Sequence, residues 1–373
     1  MSLPPILTTT AQVVEFAEKL RQHPVIAVDL EADSMHNYQE KVCLLQFSTV
    51  DETVLIDPLA GADLAALRPV LADPKIRKIF HAADYDIRCL ARDFDIVIDG
   101  LFDTMISSQF LGEEKFGLAD VLRKYFAVEL DKQYQRADWS KRPMSEGMIR
   151  YAGEDTCHLH NLVEIFEQKL REMGRLEWVK EEFALLEKVR FTQHEGPLFL
   201  RFKGAGTLDR RQLAVLENLL QWRDSEAQRR DCPLYKVFGN KQLVQVAALK
   251  PQQLKKLQQV EGLSPRLIDR YGARLLQLVA AALELSEAEL PVYPRAERRL
   301  KDPEVDKRMD KLKAWRNKAA STLALDPGVI INNATLDELA RKHPKGDADL
   351  EAVALLKNWQ RQVLGEGILR ALN

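Results

Sequence analysis

Five residues of this chain have the types and spacing for one kind of chemistry. They are Asp29 and Glu31, forming an Asp-x-Glu pair, then Asp86, then Tyr151 four positions before Asp155. Carboxylates gathered from distant parts of a chain repel one another unless positive charge sits among them. The usual positive charge is a pair of divalent cations, which clamp the attacking and leaving oxygens of a phosphodiester. Oxygen-only donors suit Mg2+ or Mn2+ rather than zinc. A tyrosine, with an ordinary pKa of about 10, is a poor base at neutral pH, so Tyr151 is expected to orient a nucleophile by hydrogen bonding.

The elements that must position these groups are legible. The β-branched run from Val25 to Leu30 predicts a strand, and i, i+2 residues of a strand share a face, so Asp29 and Glu31 point together. A long helix is expected from Met144 to Glu172, where the i, i+4 pair Tyr151 and Asp155 look into one cavity. Asp86 falls on an expected helix from Asp84 to Phe94, after a strand from Ile76 to Phe80. Asp84 competes with it, although a first-turn acid there also suits the helix dipole. Further elements are a Thr-capped helix from Ala11 to Gln22, strands Val42–Ser48 and Thr53–Ile56, a helix Ala62–Leu71 and a short strand Ile96–Ile98. The first three strands suggest an antiparallel meander within an α/β domain of mixed sheet. Gly196, Pro197, Gly204 and Gly206 mark the stretch from Glu195 to Gly206 as a domain boundary.

The tail repeats itself. Trp222-Arg223 recurs as Trp315-Arg316, an offset of 93 that also carries Leu219 to Leu312, Val237 to Ile330, Asn240 to Asn333, Leu243 to Leu336 and Ala247 to Ala340. Such an offset indicates two copies of one small helical domain, linked through Ser286 to Ala296. Both tryptophans are expected in the cores of their copies rather than as base-stacking platforms.

The acidic motifs, in this order, resemble the three exonuclease motifs of the DEDD superfamily of 3′–5′ exonucleases, and Tyr151 resembles the DEDDy branch. Phe102-Asp103-Thr104 and the run Gln135 to Pro143 are similar to ribonuclease D and its exosome-associated relatives, and each tail copy resembles an HRDC domain. Alignment on His81 selects Asp86 over Asp84. The resemblance implies an RNase H-like exonuclease domain (1–206) followed by two all-α HRDC-like domains (207–290 and 296–373). It implies a 3′–5′ exoribonuclease releasing nucleoside 5′-monophosphates, with one cation held by Asp29, Glu31 and Asp155 and a second by Asp29 and Asp86. His81, Gln46, Trp139 and Arg142 become candidate substrate contacts. The implied substrates are RNAs with a free 3′ end, tRNA precursors and small structured RNAs, met by a monomer. The residues alone leave a DNA exonuclease open, because no contact to a 2′-OH is visible in them. A non-catalytic nucleic-acid adaptor is disfavoured by a complete set of mutually repelling acids.

Composition narrows the alternatives. The net charge of −2 hides an asymmetry: residues 1–206 hold 25 Lys+Arg and 34 Asp+Glu (−9), and residues 207–373 hold 29 and 22 (+7). A basic tail on an acidic catalytic unit suits a polyanionic substrate, and the stretch Arg295 to Lys318 is one candidate for the attraction. No apolar run is long enough for a membrane span, and the first residues lack a secretory pattern. Cys43, Cys89, Cys157 and Cys232 form no Cys-x-x-Cys pair, so neither zinc nor a disulfide framework is expected and a cytoplasmic location is. Gly112 and Gly117 have P-loop spacing, but Leu-Ala follows where Lys-Ser/Thr is required, which removes an NTPase. His158 and His160, two apart on a helix, diverge and cannot share an ion.

Overall fold

The computed structural model describes residues 3–192, 195–294 and 302–373. A six-stranded mixed sheet has the order β1-β4-β3-β2-β5-β6, with β1 Ile6–Leu7, β2 Val25–Ala32, β3 Val42–Ser48, β4 Thr53–Ile56, β5 Arg77–Phe80 and β6 Leu101–Asp103. β2, β3 and β4 form the expected antiparallel meander, and β1, β5 and β6 add parallel pairings. Alternation sorts the sheet into two faces. Val28, Leu30, Leu45, Phe47, Val54 and Ile56 join the main core with α1 (Thr10–Leu20), whose Phe16 meets Phe47 edge-on at 5.8 Å. The opposite face presents Asp29 and Glu31 on β2 with their register partners Gln46 and Leu44 on β3.

Three expectations change. The helix expected over Ala62–Leu71 shrinks to a 3-10 turn, Ala65–Leu67, and α2 (Arg68–Leu71), because Pro69 cannot donate inside a longer helix and is tolerated only in its first turn. The strand expected at Ile96–Ile98 is instead a loop that buries both isoleucines, and pairing starts at Leu101. Gly100, at φ +75°, makes that turn; a Cβ there would lie 2.9 Å from the Ile76 carbonyl. After α3 (Asp84–Phe94), α4 (Thr104–Phe110) and α5 (Leu118–Phe126), the long helix expected over Met144–Glu172 is two helices, α6 (Glu146–Cys157) and α7 (Leu159–Glu172). α6 lies over β2, β3 and β4, whereas α7 packs on β2 and β5. The break falls between Thr156 and His160, both of which hydrogen-bond Ser48. α8 (Leu176–Leu186) follows.

The tail folds as two five-helix modules. The first is α9 (Arg210–Arg229), α10 (Leu234–Val237), α11 (Asn240–Leu249), α12 (Leu254–Leu257) and α13 (Pro265–Glu284); the second is α14 (Pro303–Leu323), α15 (Pro327–Ile330), α16 (Asn333–Lys342), α17 (Asp347–Glu351) and α18 (Asn358–Leu372). Every helix of the second copy starts 93 residues after its counterpart. Two compact units result: residues 1–32, 41–191 and 300–373 form one, residues 33–40 and 192–299 the other. The second module thus joins the nuclease unit. The boundary stretch joins the first module, where Phe199, Phe202 and Ala205 are buried and Glu217 of α9 accepts from the Leu198 and Phe199 amides. Segment 33–40, which follows Glu31, is held there too: the Tyr38 hydroxyl donates to Asp224 (2.8 Å), and the Tyr235 hydroxyl donates to the Met35 carbonyl (3.0 Å). Residues 295–301, with the end of the expected link and the start of the basic stretch Arg295–Lys318, lie outside the described residues. Among the described residues no helix is long and apolar enough to cross a membrane.

Candidate active site

The structure brings all five singled-out residues together from three elements. Asp29 and Glu31 project from one face of β2, Glu31 at a β-bulge before Ala32. Tyr151 and Asp155 face them from α6, and Asp86 enters from the first turn of α3. Asp86 and Asp155 are buried. Asp84 is more than half exposed and forms a surface ion pair with Arg88 at 2.9 Å, so burial favours Asp86.

Electrostatics show how closely the groups interact. Burial pushes the Asp29 carboxyl up to about 7, against the Leu30 amide, which donates to its Oδ1 at 2.9 Å. Burial raises Glu31 well above the usual carboxylate range, and Asp29, Asp155 and Asp86 add to the rise. Asp86 and Asp155 are raised in the same way, by burial and then by Asp29. Tyr151 is raised by burial, then by Asp155, Glu31 and Asp29, and its hydroxyl hydrogen-bonds Asp155. Four acids that resist joint ionisation form a site that cations would stabilise.

A family profile described as a 3′–5′ exonuclease matches residues 4–171, and the HRDC domain profile matches 212–279 and 306–372. A ribonuclease D of Gluconacetobacter diazotrophicus is 31% identical over 98% of this chain and 92% of its own length. The chain belongs to the ribonuclease D family. It is therefore a hydrolytic 3′–5′ exoribonuclease with an RNase H-like nuclease fold and HRDC domains. The crystal structure of Escherichia coli RNase D superposes with a TM-score of 0.76 at 27% identity, covering 100% of this chain and 99% of that one. The catalytic core of Trypanosoma brucei RRP6 gives 0.64 at 30% identity, covering 75% of this chain and 79% of that one. Exosome complex component 10 of Rattus norvegicus is 34% identical over 66% of this chain, but that match spans 29% of the rat protein.

DEDD exonucleases depend on divalent metal, and the site here fits such ions in donor chemistry, since every candidate ligand is a carboxylate oxygen. Among the described residues no group of three or more His, Cys, Asp or Glu side chains already stands in metal-ligating geometry.

The four expected substrate contacts are buried or already engaged in the structure. Arg142 spends five donor contacts on protein: two on the Asp57 carboxylate and three on the carbonyls of Trp139, Lys141 and Cys43. It staples the loop before α6 to the sheet, and no donor is left for a phosphate. Trp139 is 1% exposed and packs against Tyr151 at 6.0 Å, so it offers no face to a base. His81 places Nδ1 2.9 Å from the Thr104 hydroxyl, and burial lowers its pKa to about 4, keeping the ring neutral. Gln46 is completely buried beside Asp29. His160 binds the Ser48 carbonyl and His158 stacks on Phe126, so neither joins the acids.

The role of one supporting residue, Asp103, quoted above only as part of a family motif, escaped the sequence reading. Buried Asp103 accepts from the amides of Met105 and Ile106, capping α4, and from those of Ala82 and Ala83 in the turn that launches Asp86. The cap is a readable signal, an Asp just before a helix. The bonds to the 82–83 turn are not, because they depend on β5 and β6 being neighbours. Ala82 holds φ +69° in that turn.

Proposed function

We propose that this protein removes nucleotides from the 3′ end of RNA and releases nucleoside 5′-monophosphates, with two divalent cations, Mg2+ or Mn2+, in the acidic site. The observation that carries the proposal is the convergence of Asp29 and Glu31 on one face of β2 with Asp86 of α3 and with Tyr151 and Asp155 of α6, Asp86 and Asp155 being buried. Asp29, whose charge acts on the other three acids, would be shared, with Glu31 and Asp155 completing one ligand set and Asp86 the other. Bound cations would activate water and offset charge on the scissile phosphate. Tyr151, whose pKa is raised by burial and by the acids, stays protonated. It therefore acts as a hydrogen-bond donor that aligns the nucleophile, not as its base.

The substrates we propose are tRNA precursors and other small structured RNAs with a free 3′ end, acted on by a monomer in the cytoplasm. Support comes from the full-length match to the E. coli enzyme, described as an exoribonuclease involved in structured RNA processing. The test is digestion of matched RNA and DNA oligomers, labelled at the 5′ end for ladders and internally for products, with Mg2+ or with chelator. Expected are Mg2+-dependent ladders shortening from the 3′ end of RNA and 5′-monophosphate products. Equal rates on DNA, or 3′-phosphate products, would overturn the proposal.

A further inference from the structure

Gln46 sits mid-way along β3, in register with Asp29 of β2 on one side and Leu55 of β4 on the other. Register partners project to the same face of a sheet, with Cβ atoms about 4.5–5.5 Å apart in an antiparallel pair. Gln46 therefore shares the acidic face beneath α6. Its side chain is 0% exposed, and neither Nε2 nor Oε1 has a hydrogen-bond partner. Buried polar atoms are nearly always paired, so a carboxamide orphaned at both ends marks a place where partners belong.

The surroundings narrow what those partners are. Leu44, Leu55 and Ala152 belong to the small apolar cluster on this face and offer no polar side-chain atom. The Ser48 hydroxyl, two residues along β3, is committed to Thr53 and Thr156 at 2.7 Å each. The polar group that the register sets beside Gln46 is the Asp29 carboxylate, held through Oδ1 by the Leu30 amide. As packing, a glutamine here achieves nothing that an apolar chain of equal length would not, and it carries the cost of an unpaired buried amide.

We propose that Gln46 is a positioning residue of the nuclease site: Nε2, unpaired in this structure, comes by rotation of the side chain to donate to the outer oxygen of Asp29, its register partner, and so fixes the plane of the carboxylate shared by both proposed ligand sets. The inference rests on the function proposed above, and it adds a role for a residue that touches neither substrate nor cation. Groups that orient a ligand in this way typically matter by 10–100-fold in metal affinity or activity when removed.

The test is Gln46→Met in the full chain, which keeps the length and removes both polar atoms. Three quantities are compared with wild type: the metal-free melting temperature, Mn2+ affinity by titration calorimetry, and kcat and KM on a labelled RNA. The positioning role predicts an unchanged or higher melting temperature, with Mn2+ affinity and kcat each lower by about 10–100-fold and KM little altered. A purely structural role predicts a lower melting temperature, with Mn2+ affinity and kcat intact wherever the protein is folded. That result, or wild-type values throughout, overturns the proposal. If wild type itself shows no Mg2+-dependent exonuclease activity, the functional reading fails instead, while the Mn2+ titration still reports on Gln46.

Discussion

The two helical modules share a scaffold and an internal lock but present different surfaces. In the first, Arg223 donates to the Phe238 carbonyl and to Asn240; in the second, Arg316 donates to the Ile331 carbonyl and to Asn333, at the same offset of 93. The start of α18 separates them. There Trp359 stacks on Trp178 of α8 at 5.2 Å and 13°, its indole N–H donates to Glu182, and Glu181 accepts from the Asn358 and Trp359 amides. The counterparts in the first copy, Pro265 and Arg266, are exposed. A second difference lies in the groove between the first and last helices. In the first copy it holds about 400 Å³ beside Trp222, with Arg229, Arg230, Arg270 and Arg274. In the second it holds about 800 Å³ beside Trp315, and Thr322, Leu323, Val363 and Gly367 occupy those four positions.

Net charge does not distinguish the copies. Residues 207–290 carry 13 Lys+Arg and 10 Asp+Glu, and residues 296–373 carry 15 and 12, so each is +3. Placement does: one copy has turned a helix start into a dock for the nuclease, and the other keeps arginines around a half-buried tryptophan. The repeat fixes the backbone and leaves the surface free to specialise, so a tail-wide charge count cannot say which copy captures RNA.

The largest expected effect tests whether either copy contributes chemistry. Asp29→Asn and Asp155→Asn should each lower kcat by on the order of 10³-fold, since each removes several kcal/mol of charge stabilisation. The Kd for a folded RNA should stay within twofold. Asp84→Asn, which breaks only a surface pair, should retain near-normal kcat. Titration of the melting temperature adds a sign. Because the Asp29 pKa is raised to about 7 from an unfolded value near 4, the folded state binds the extra proton between those values. Metal-free stability is therefore favoured below about pH 4 and lost as pH rises through about 7. Asp29→Asn should flatten that decline relative to wild type, and a parallel decline in both would remove Asp29 from the cluster.

The next effect separates the modules directly. Trp359→Ala removes a buried aromatic and leaves Glu182 short of a donor, so it should cost about 3–5 kcal/mol in unfolding free energy. Arg266→Ala, its counterpart, should stay within about 0.5 kcal/mol. Equal losses in urea denaturation would mean that the copies are more alike than their surfaces suggest.

The legibility of the sequence follows the same division. The acidic pair on β2, the i, i+4 pair on α6 and the helix repeat were readable because local periodicity alone sets which residues share a face. The break at His158 was not, since it depends on one segment crossing from β2–β4 to β5, latched by Thr156 and His160 on Ser48. Nor was the role of Arg142, expected as a substrate contact, while the fold brought Asp57 and three carbonyls to its guanidinium. The half-buried setting of Trp222 and Trp315, expected in their cores, likewise depends on where the last helix of each copy packs.

Tyr151→Phe keeps the ring that packs on Trp139 and Tyr134 and removes only the hydroxyl. Loss of an orienting group should lower kcat by about 10²-fold, the lower end for positioned proton-handling groups. RNA affinity and the melting temperature should hardly move. Near-normal turnover in Mg2+ would eliminate the orienting role and leave the ring as packing alone.

The smallest effect asks which copy captures RNA. Replacing Arg229, Arg230, Arg270 and Arg274 by Gln removes four cations around one groove while leaving the lock through Arg223 in place. Lys311, Lys318 and Arg370 replaced by Gln is the matched change in the second copy, where the groove walls are largely apolar. Contacts to phosphate release counterions, about 0.7–0.9 per neutralised phosphate, so the slope of log Kd against log salt reports how many contacts were lost. The first variant should weaken binding of a folded RNA by about tenfold near physiological salt and reduce the slope by roughly 2–3, for the three or four contacts that one groove can place on a backbone. The second should lose less than half as much on both measures. Both variants should still shorten a brief single strand at the wild-type kcat, because neither touches the acids. A larger loss in the second copy would reverse the assignment: the apolar groove beside Trp315 would then be the capture surface, and the arginines of the first copy a solvated face.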